Sequence, residues 1–185
     1  PSLYVERRSA KLGLGSAYRL GFRWGLDRGF DELIEMDADM SHRVRDLASM
    51  IDAKSKDSDA GLVIGSRWTK GGSTINWPKQ RELLSRGANL YVRFMLGMGV
   101  ADATAGFRVY TPQALAAINF EEVTLDGYGF QVEMTDRARQ AGVVIVEVPI
   151  KFIDREIGES KMSASIVVEA LAMVTRRGVL RRLGR

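Results

Sequence analysis

Apolar residues recur at helical spacing at Leu14, Ala17, Leu20 and Trp24, and Gly29 stands where that helix would end. Phe30 to Met36 predicts a short buried strand that stops at Asp37. Val44, Leu47 and Ile51 mark a second helix, and the unbroken run Ala60 to Ser66 a second buried strand. Thr69 to Pro78, with Gly71-Gly72-Ser73 inside it, reads as a mobile loop, and a helix over Lys79 to Leu96 follows. Beyond it the pattern predicts a strand over Gly106 to Tyr110, a short helix over Pro112 to Ile118, and a longer one over Gln131 to Gln140. Val143 to Ile153 reads as one mostly buried strand, Asp154 to Ser163 as a polar loop, and Ile166 to Leu183 as the last helix. Strands alternating with helices through short connections imply an α/β fold with a mostly parallel sheet. In such sheets ligands collect at the carboxyl ends of the strands.

A length of 185 residues with 45% hydrophobic content suits one domain with a real core. The chain has no cysteine, which excludes disulfides and thiolate zinc sites, and its single histidine, His42, excludes a site built on several imidazoles. Any metal must be held mainly by oxygen. The net charge of +4 resides at one end: Arg176 to Arg185 contains five arginines and no acid, leaving 22 basic and 23 acidic residues elsewhere. That distribution suits an anionic membrane surface better than a nucleic-acid groove, so nucleic acid is not an expected partner. The expected division is therefore 1–163 as the main domain and 164–185 as a basic amphipathic helix, docked on a membrane surface or on a partner. No run approaches the roughly 18 apolar residues of a spanning helix. Pro1-Ser2 lacks an initiator methionine, and the apolar stretch Leu3 to Val5 is too short for a signal peptide, as expected of an interior piece of a longer protein.

Asp37-Ala38-Asp39 follows the first predicted strand. Two carboxylates so placed can face one divalent cation, and hard oxygen ligands select Mg²⁺ or Mn²⁺. Asp39 or Ser41 could equally cap the helix that follows. A cationic group consists of Arg67 after the second strand, Arg81 and Ser85 four apart on one helical face, and Arg86. Arginine forks beside a hydroxyl suit phosphate oxygens, although such arginines also occur as solvated helix charges. Asp154-Arg155 and Gly158-Glu159-Ser160-Lys161 bring further cations to the last loop. Gly13-Leu14-Gly15 does not make a dinucleotide fingerprint, because Tyr18 stands where the third glycine belongs. An aspartate-based phosphatase would use Asp37 and Asp39 but leave the arginine–serine helix unexplained.

These segments, with Lys11-Leu12-Gly13-Leu14-Gly15, Ser85-Arg86-Gly87-Ala88-Asn89, Asp102-Ala103-Thr104-Ala105-Gly106-Phe107-Arg108 and Phe130-Gln131-Val132-Glu133, occur in an order that resembles polyprenyl-phosphate mannosyltransferases (dolichol-phosphate mannose synthases) of glycosyltransferase family two. The resemblance implies a GT-A-type, Rossmann-like fold and inverting transfer of mannose from GDP-mannose to a polyprenyl phosphate. It implies Mg²⁺ or Mn²⁺ on Asp37 and Asp39 with Ser41 beside it, and Gln131 and Glu133 toward the nucleotide sugar. It places Arg67, Arg81, Ser85, Arg155 and Lys161 on the lipid phosphate, with Asp39, Arg67, Arg81, Ser85 and Arg155 carrying catalysis. A phosphate monoester is already anionic at pH 7, its second pKa being near 6, so no general base is required and His42 is assigned no chemistry. UDP-glucose as donor, or a non-catalytic docking role in a membrane assembly, are the alternatives. Relatives begin with two further strands that hold the nucleotide base and ribose. Here Leu3-Tyr4-Val5 corresponds to the third strand, so that half-site is absent from the chain. The resemblance also implies association with the cytoplasmic face of a membrane, together with a membrane-embedded partner or fused domain.

Overall fold

The buried run Ala60 to Ser66 forms the centre of the protein. In the computed structural model, which describes residues 3–10, 12–123, 125, 127–154 and 164–184 (164–167 by their backbone), this run is strand β2 (Ala60–Ser66), buried at six of its seven positions. It follows α1 (Leu14–Leu26), β1 (Leu33–Glu35) and α2 (Val44–Lys56), and precedes β3 (Ser73–Ile75) and α3 (Lys79–Leu96). Then come β4 (Arg108–Tyr110), α4 (Pro112–Ile118), a 3₁₀ turn at Phe120–Glu122, α5 (Gly127–Gln140), β5 (Val144–Pro149), β6 (Lys151–Ile153) and α6 (Ala164–Arg182).

The main sheet has the order β1-β4-β2-β5. β1, β2 and β5 run in one direction, and β4 is antiparallel to both β1 and β2. Three carboxyl ends therefore share one sheet edge, which is why residues just past β1, β2 and β5 can meet. Alternate residues of β2 serve opposite faces. Leu62 and Ile64 join a core with Phe22, Tyr110, Leu115 and Phe130, whereas Val63 packs with Met50, Phe107 and Ile150. A third apolar cluster, Val92, Leu96, Val132 and Val174, joins α3, α5 and α6.

The structure departs from the sequence expectation in four places. The single strand expected over Val143 to Ile153 is broken at Pro149, which has no N–H to extend a ladder. Ile150 bridges the break: its N–H donates to Ser66 O, and its carbonyl accepts from the Ser73 N–H. β6 then pairs in parallel with β3, so part of the expected loop at 69–78 is a strand. Leu3 to Val5 forms no strand. It is exposed and takes no place in a ladder, and among the described residues β1 pairs only with β4. Helix α5 begins at Gly127, four residues ahead of the expected start.

The basic helix α6 packs closely on the body. Val174 is buried, Arg177 bonds Glu133 and Asp136, and Arg181 bonds Asp136 and the Leu96 carbonyl. Arg182 donates to the Phe94 carbonyl. Three of the arginines expected to meet lipid thus fasten α6 to α5 and α3. No helix among the described residues is long and apolar enough to cross a membrane.

Candidate active site

At the end of β1 the chain turns through Met40, whose φ of 64° is left-handed. This turn presents Asp37 and Asp39 at the shared sheet edge. Ser41 is buried, and both its N–H and its hydroxyl donate to Oδ1 of Asp39, so it orients that carboxylate. The Tyr18 hydroxyl reaches Oδ1 of Asp37 at 3.5 Å, the long limit of a hydrogen bond. Burial, aided by the negative charges of Glu35 and Asp37, pushes the Tyr18 phenol well above its ordinary range, so it remains a donor.

Gln131 comes to the same place from α5. A Cβ on Gly106 would lie 4.0 Å from both Asp37 Oδ2 and Gln131 Nε2, so these two groups flank one glycine. The Gln131 amide is buried, and its polar end lies beside the Glu35 carboxyl, whose charged form it favours. Below it, Arg108 donates to the carbonyls of Ala103 and Ala105 and holds the loop that carries Gly106. Glu35, opposite Arg108 in the β1–β4 ladder, is buried so thoroughly that its carboxyl is pushed up to about 8, with Arg108 pulling the other way.

Glu133 does not join this group. Residues two apart on a helix face opposite ways, and its carboxylate accepts from Arg137 and Arg177 at the contact with α6. Its work is to hold helices together.

Past β2, Arg67 is buried and tied by Nε and Nη2 to both oxygens of Asp102, 2.7 Å each, and by Nη2 to Thr104. Burial opposes both charges, and the pairing outweighs it: Asp102 is held below its usual range and Arg67 above its own. Glu147 on β5 accepts the backbone N–H groups of Ala101 and Asp102, which fixes the loop in turn. Arg81, in the first turn of α3, bonds Asp154 at 2.8 Å, and its guanidinium lies 4.0 Å over the ring of Trp77.

Arg67, Arg81 and Ser85 line one cavity of about 100 Å³ with Trp77, Thr104 and Tyr128. Its other walls are aliphatic, with Leu84, Ala88, Val92, Val132, Leu171 and Val174 from α3, α5 and α6. The cavity therefore has a cationic end and a hydrocarbon end. Arg155 and Lys161, expected at the same phosphate, lie outside the described residues.

A chain of contacts links the carboxylate group to the arginine group. His42 Nε2 is 3.9 Å from Asp37 Oδ2, its ring meets Phe107 and Phe152, and Phe152 in turn faces Arg67 at 5.7 Å. Burial lowers His42 to about 4, so at pH 7 the ring is a neutral part of this wall and not an ion-pair partner. Sequence reasoning assigned no role to Asp102, Trp77, Phe152 or Tyr18. Asp102 lies in a motif already singled out, and Trp77-Pro78 immediately before a helix was the available signal for Trp77.

No protein-family model matches the chain. It is 50% identical over 182 residues to an undecaprenyl-phosphate mannosyltransferase of Micrococcus luteus, covering 98% of this chain and 74% of that protein. It is 48% identical over 183 residues to a polyprenol monophosphomannose synthase of Mycolicibacterium smegmatis, covering 99% of this chain and 68% of that protein. Among solved structures, glucosyl-3-phosphoglycerate synthase from Mycobacterium tuberculosis, in complex with Mn²⁺, UDP-glucose and phosphoglyceric acid, superposes with a TM-score of 0.62 at 16% identity. That match covers 94% of this chain and 56% of the solved one, and it shows a shared GT-A-type fold. Carboxylates and arginines gathered at one edge of that fold, and close identity along almost the entire chain, make this protein a glycosyltransferase that belongs to the polyprenyl-phosphate mannosyltransferase family.

Proposed function

We propose that the protein transfers mannose, with inversion, from GDP-mannose to the phosphate of a polyprenyl phosphate at a membrane surface. The observation that carries this reading is the cavity at Arg81: a cationic and hydroxylic end continues into an aliphatic wall, which matches a phosphate attached to a hydrocarbon chain. The names of the two relatives support the same acceptor class and the same sugar.

Asp37 and Asp39 fit a divalent cation. Asp39 Oδ1 is already oriented by Ser41, and the donors are hard oxygens. Among the described residues no group of three or more acidic, histidine or cysteine side chains could hold a metal alone, so the donor's diphosphate would complete the ligand set. Mg²⁺ or Mn²⁺ there would neutralise the charge that develops on the leaving diphosphate. Tyr18 and Ser41 keep the two carboxylates in place, and Gln131 offers an amide beside Asp37 to the donor.

Arg81 and Ser85 hold the acceptor phosphate, with Arg67 fixed behind them by Asp102. One phosphate oxygen attacks the anomeric carbon, the new C–O bond forms as the bond to the diphosphate breaks, and the electron pair leaves with GDP. The acceptor enters as an anion, so no proton has to be removed. The protein's contribution is to position and separately neutralise two phosphate groups that repel each other.

The test is transfer of labelled sugar to a polyprenyl phosphate, with GDP-mannose and UDP-glucose compared as donors. Mannose transfer that requires Mg²⁺ or Mn²⁺ and is abolished in Asp39→Ala is the expected result. Preference for UDP-glucose would overturn the donor assignment, and undiminished transfer by Asp39→Ala in excess chelator the metal assignment.

A further inference from the structure

We propose that Trp77 is a binding residue for the acceptor, its indole N–H donating to the phosphate held by Arg81 and Ser85. The inference rests on the acceptor reading given above and extends it to a residue outside the recognised motifs. Trp77 lies between β3 and the start of α3, and it lines the cavity together with Arg67, Arg81 and Ser85. Its Nε1 is buried and has no acceptor among the described residues. An indole nitrogen can only donate, and when buried it usually finds an acceptor. A phosphate bound by Arg81, whose guanidinium lies over this ring, would provide one as the side chains shift to close on it.

The ring face has a second use. Arg81 lies 4.0 Å from the ring centroid and Arg67 5.4 Å, while Phe152 packs edge-on at 5.5 Å. An aromatic face attracts a guanidinium without cancelling its charge, whereas a carboxylate in the same position would cancel it. Arg67 already has Asp102 and Arg81 already has Asp154. Another acid beneath Arg81 would leave an incoming phosphate little net attraction. The indole therefore seats the cation with its face and donates with its edge. Trp68 provides a contrast: its Nε1 is also buried without an acceptor, yet it does not line the cavity.

The experiment titrates the chain with farnesyl phosphate, a soluble short-chain monoester, and with farnesol, which lacks the phosphate. Binding is measured for wild type, Trp77→Phe and Arg81→Ala, and the indole N–H signals of the three tryptophans are followed by NMR, Trp77 being identified by its contacts to Phe152. Farnesyl phosphate should move the Trp77 signal downfield and farnesol should not. Trp77→Phe, which keeps a ring face and removes the donor, should weaken farnesyl phosphate binding by roughly tenfold or more. Weakened binding in Arg81→Ala beside unchanged binding in Trp77→Phe and a stationary indole signal would overturn the role of Trp77 while leaving the acceptor site in place. An equal shift with farnesol would overturn it too, since the signal would then report the hydrocarbon. Unchanged binding in Arg81→Ala would instead remove the acceptor site and this inference with it. The wild-type NMR arm does not depend on whether Trp77→Phe folds.

Discussion

Arg67 and Arg81 look equivalent as phosphate ligands in the sequence, but their surroundings make them unequal as probes. Arg67 is the buried partner of Asp102, and removing it would strand a carboxylate in the interior, a change expected to cost about 3–5 kcal/mol of stability. Loss of activity there would say little about the acceptor. Arg81 is half-buried, and its partner Asp154 remains partly open to solvent, so Arg81→Ala should leave a folded protein. The KM for polyprenyl phosphate should then rise roughly tenfold to a hundredfold, with the KM for the sugar nucleotide little changed. Ser85→Ala should do less, because a neutral hydroxyl is the weaker partner. Steady-state kinetics with each substrate varied in turn checks both statements, and an Arg81→Ala defect confined to the sugar nucleotide would move Arg81 to the donor side.

Helix α6 owes its position to α3 and α5 as much as to its own sequence. Gly178 is the point of closest approach: a Cβ there would lie 2.6 Å from the Met95 carbonyl oxygen, a backbone atom that cannot swing aside. Replacing glycine by alanine inside an exposed helix ordinarily gains about 1 kcal/mol. Here the clash should outweigh that gain, because overpacking costs about 1–3 kcal/mol and its relief requires α6 to move off α3. Gly178→Ala should therefore be neutral to destabilising by about 2 kcal/mol in urea denaturation. A clear gain in stability would show that α6 does not sit so close. Leu171 and Val174 of α6 also wall the cavity at Arg81, so a displaced α6 should weaken farnesyl phosphate binding as well.

Considered whole, the molecule has an exposed apolar and basic face that the C-terminal charge pattern alone did not reveal. Leu83, Leu90 and Phe94 recur along one side of α3, all exposed, with Arg86 and Arg93 among them. An apolar face edged with arginine suits a lipid surface, and the cavity at Arg81 is walled by this same helix together with α5 and α6. Binding of the chain to anionic liposomes should fall more on replacing Leu83, Leu90 and Phe94 by serine than on replacing Arg177 and Arg181, which already serve Glu133 and Asp136. Co-sedimentation at low and at high salt measures this. Undiminished binding of the triple serine variant would exclude α3 as the membrane face.

The alternation of buried strands and amphipathic helices was legible directly, because burial on both faces of β2 and on one face of each helix leaves a periodic trace in the chain. The candidate ligands Asp37, Asp39, Arg67, Arg81 and Ser85 were legible for a related reason: they follow strand ends or repeat at helical spacing, and their chemistry is local. Pairing was not. Which strand lies beside β2, that β6 leaves the main sheet after Pro149 to join β3, and that Leu3 to Val5 joins no sheet all depend on partners distant in the chain. Partnership also determined what each charged residue does. Asp102 fixes Arg67 from 35 positions away, and Arg177 engages Glu133 from 44. A sequence records which groups can ionise, donate or pack, whereas the free energy of a buried charge depends on what the folded chain places within a few ångströms of it.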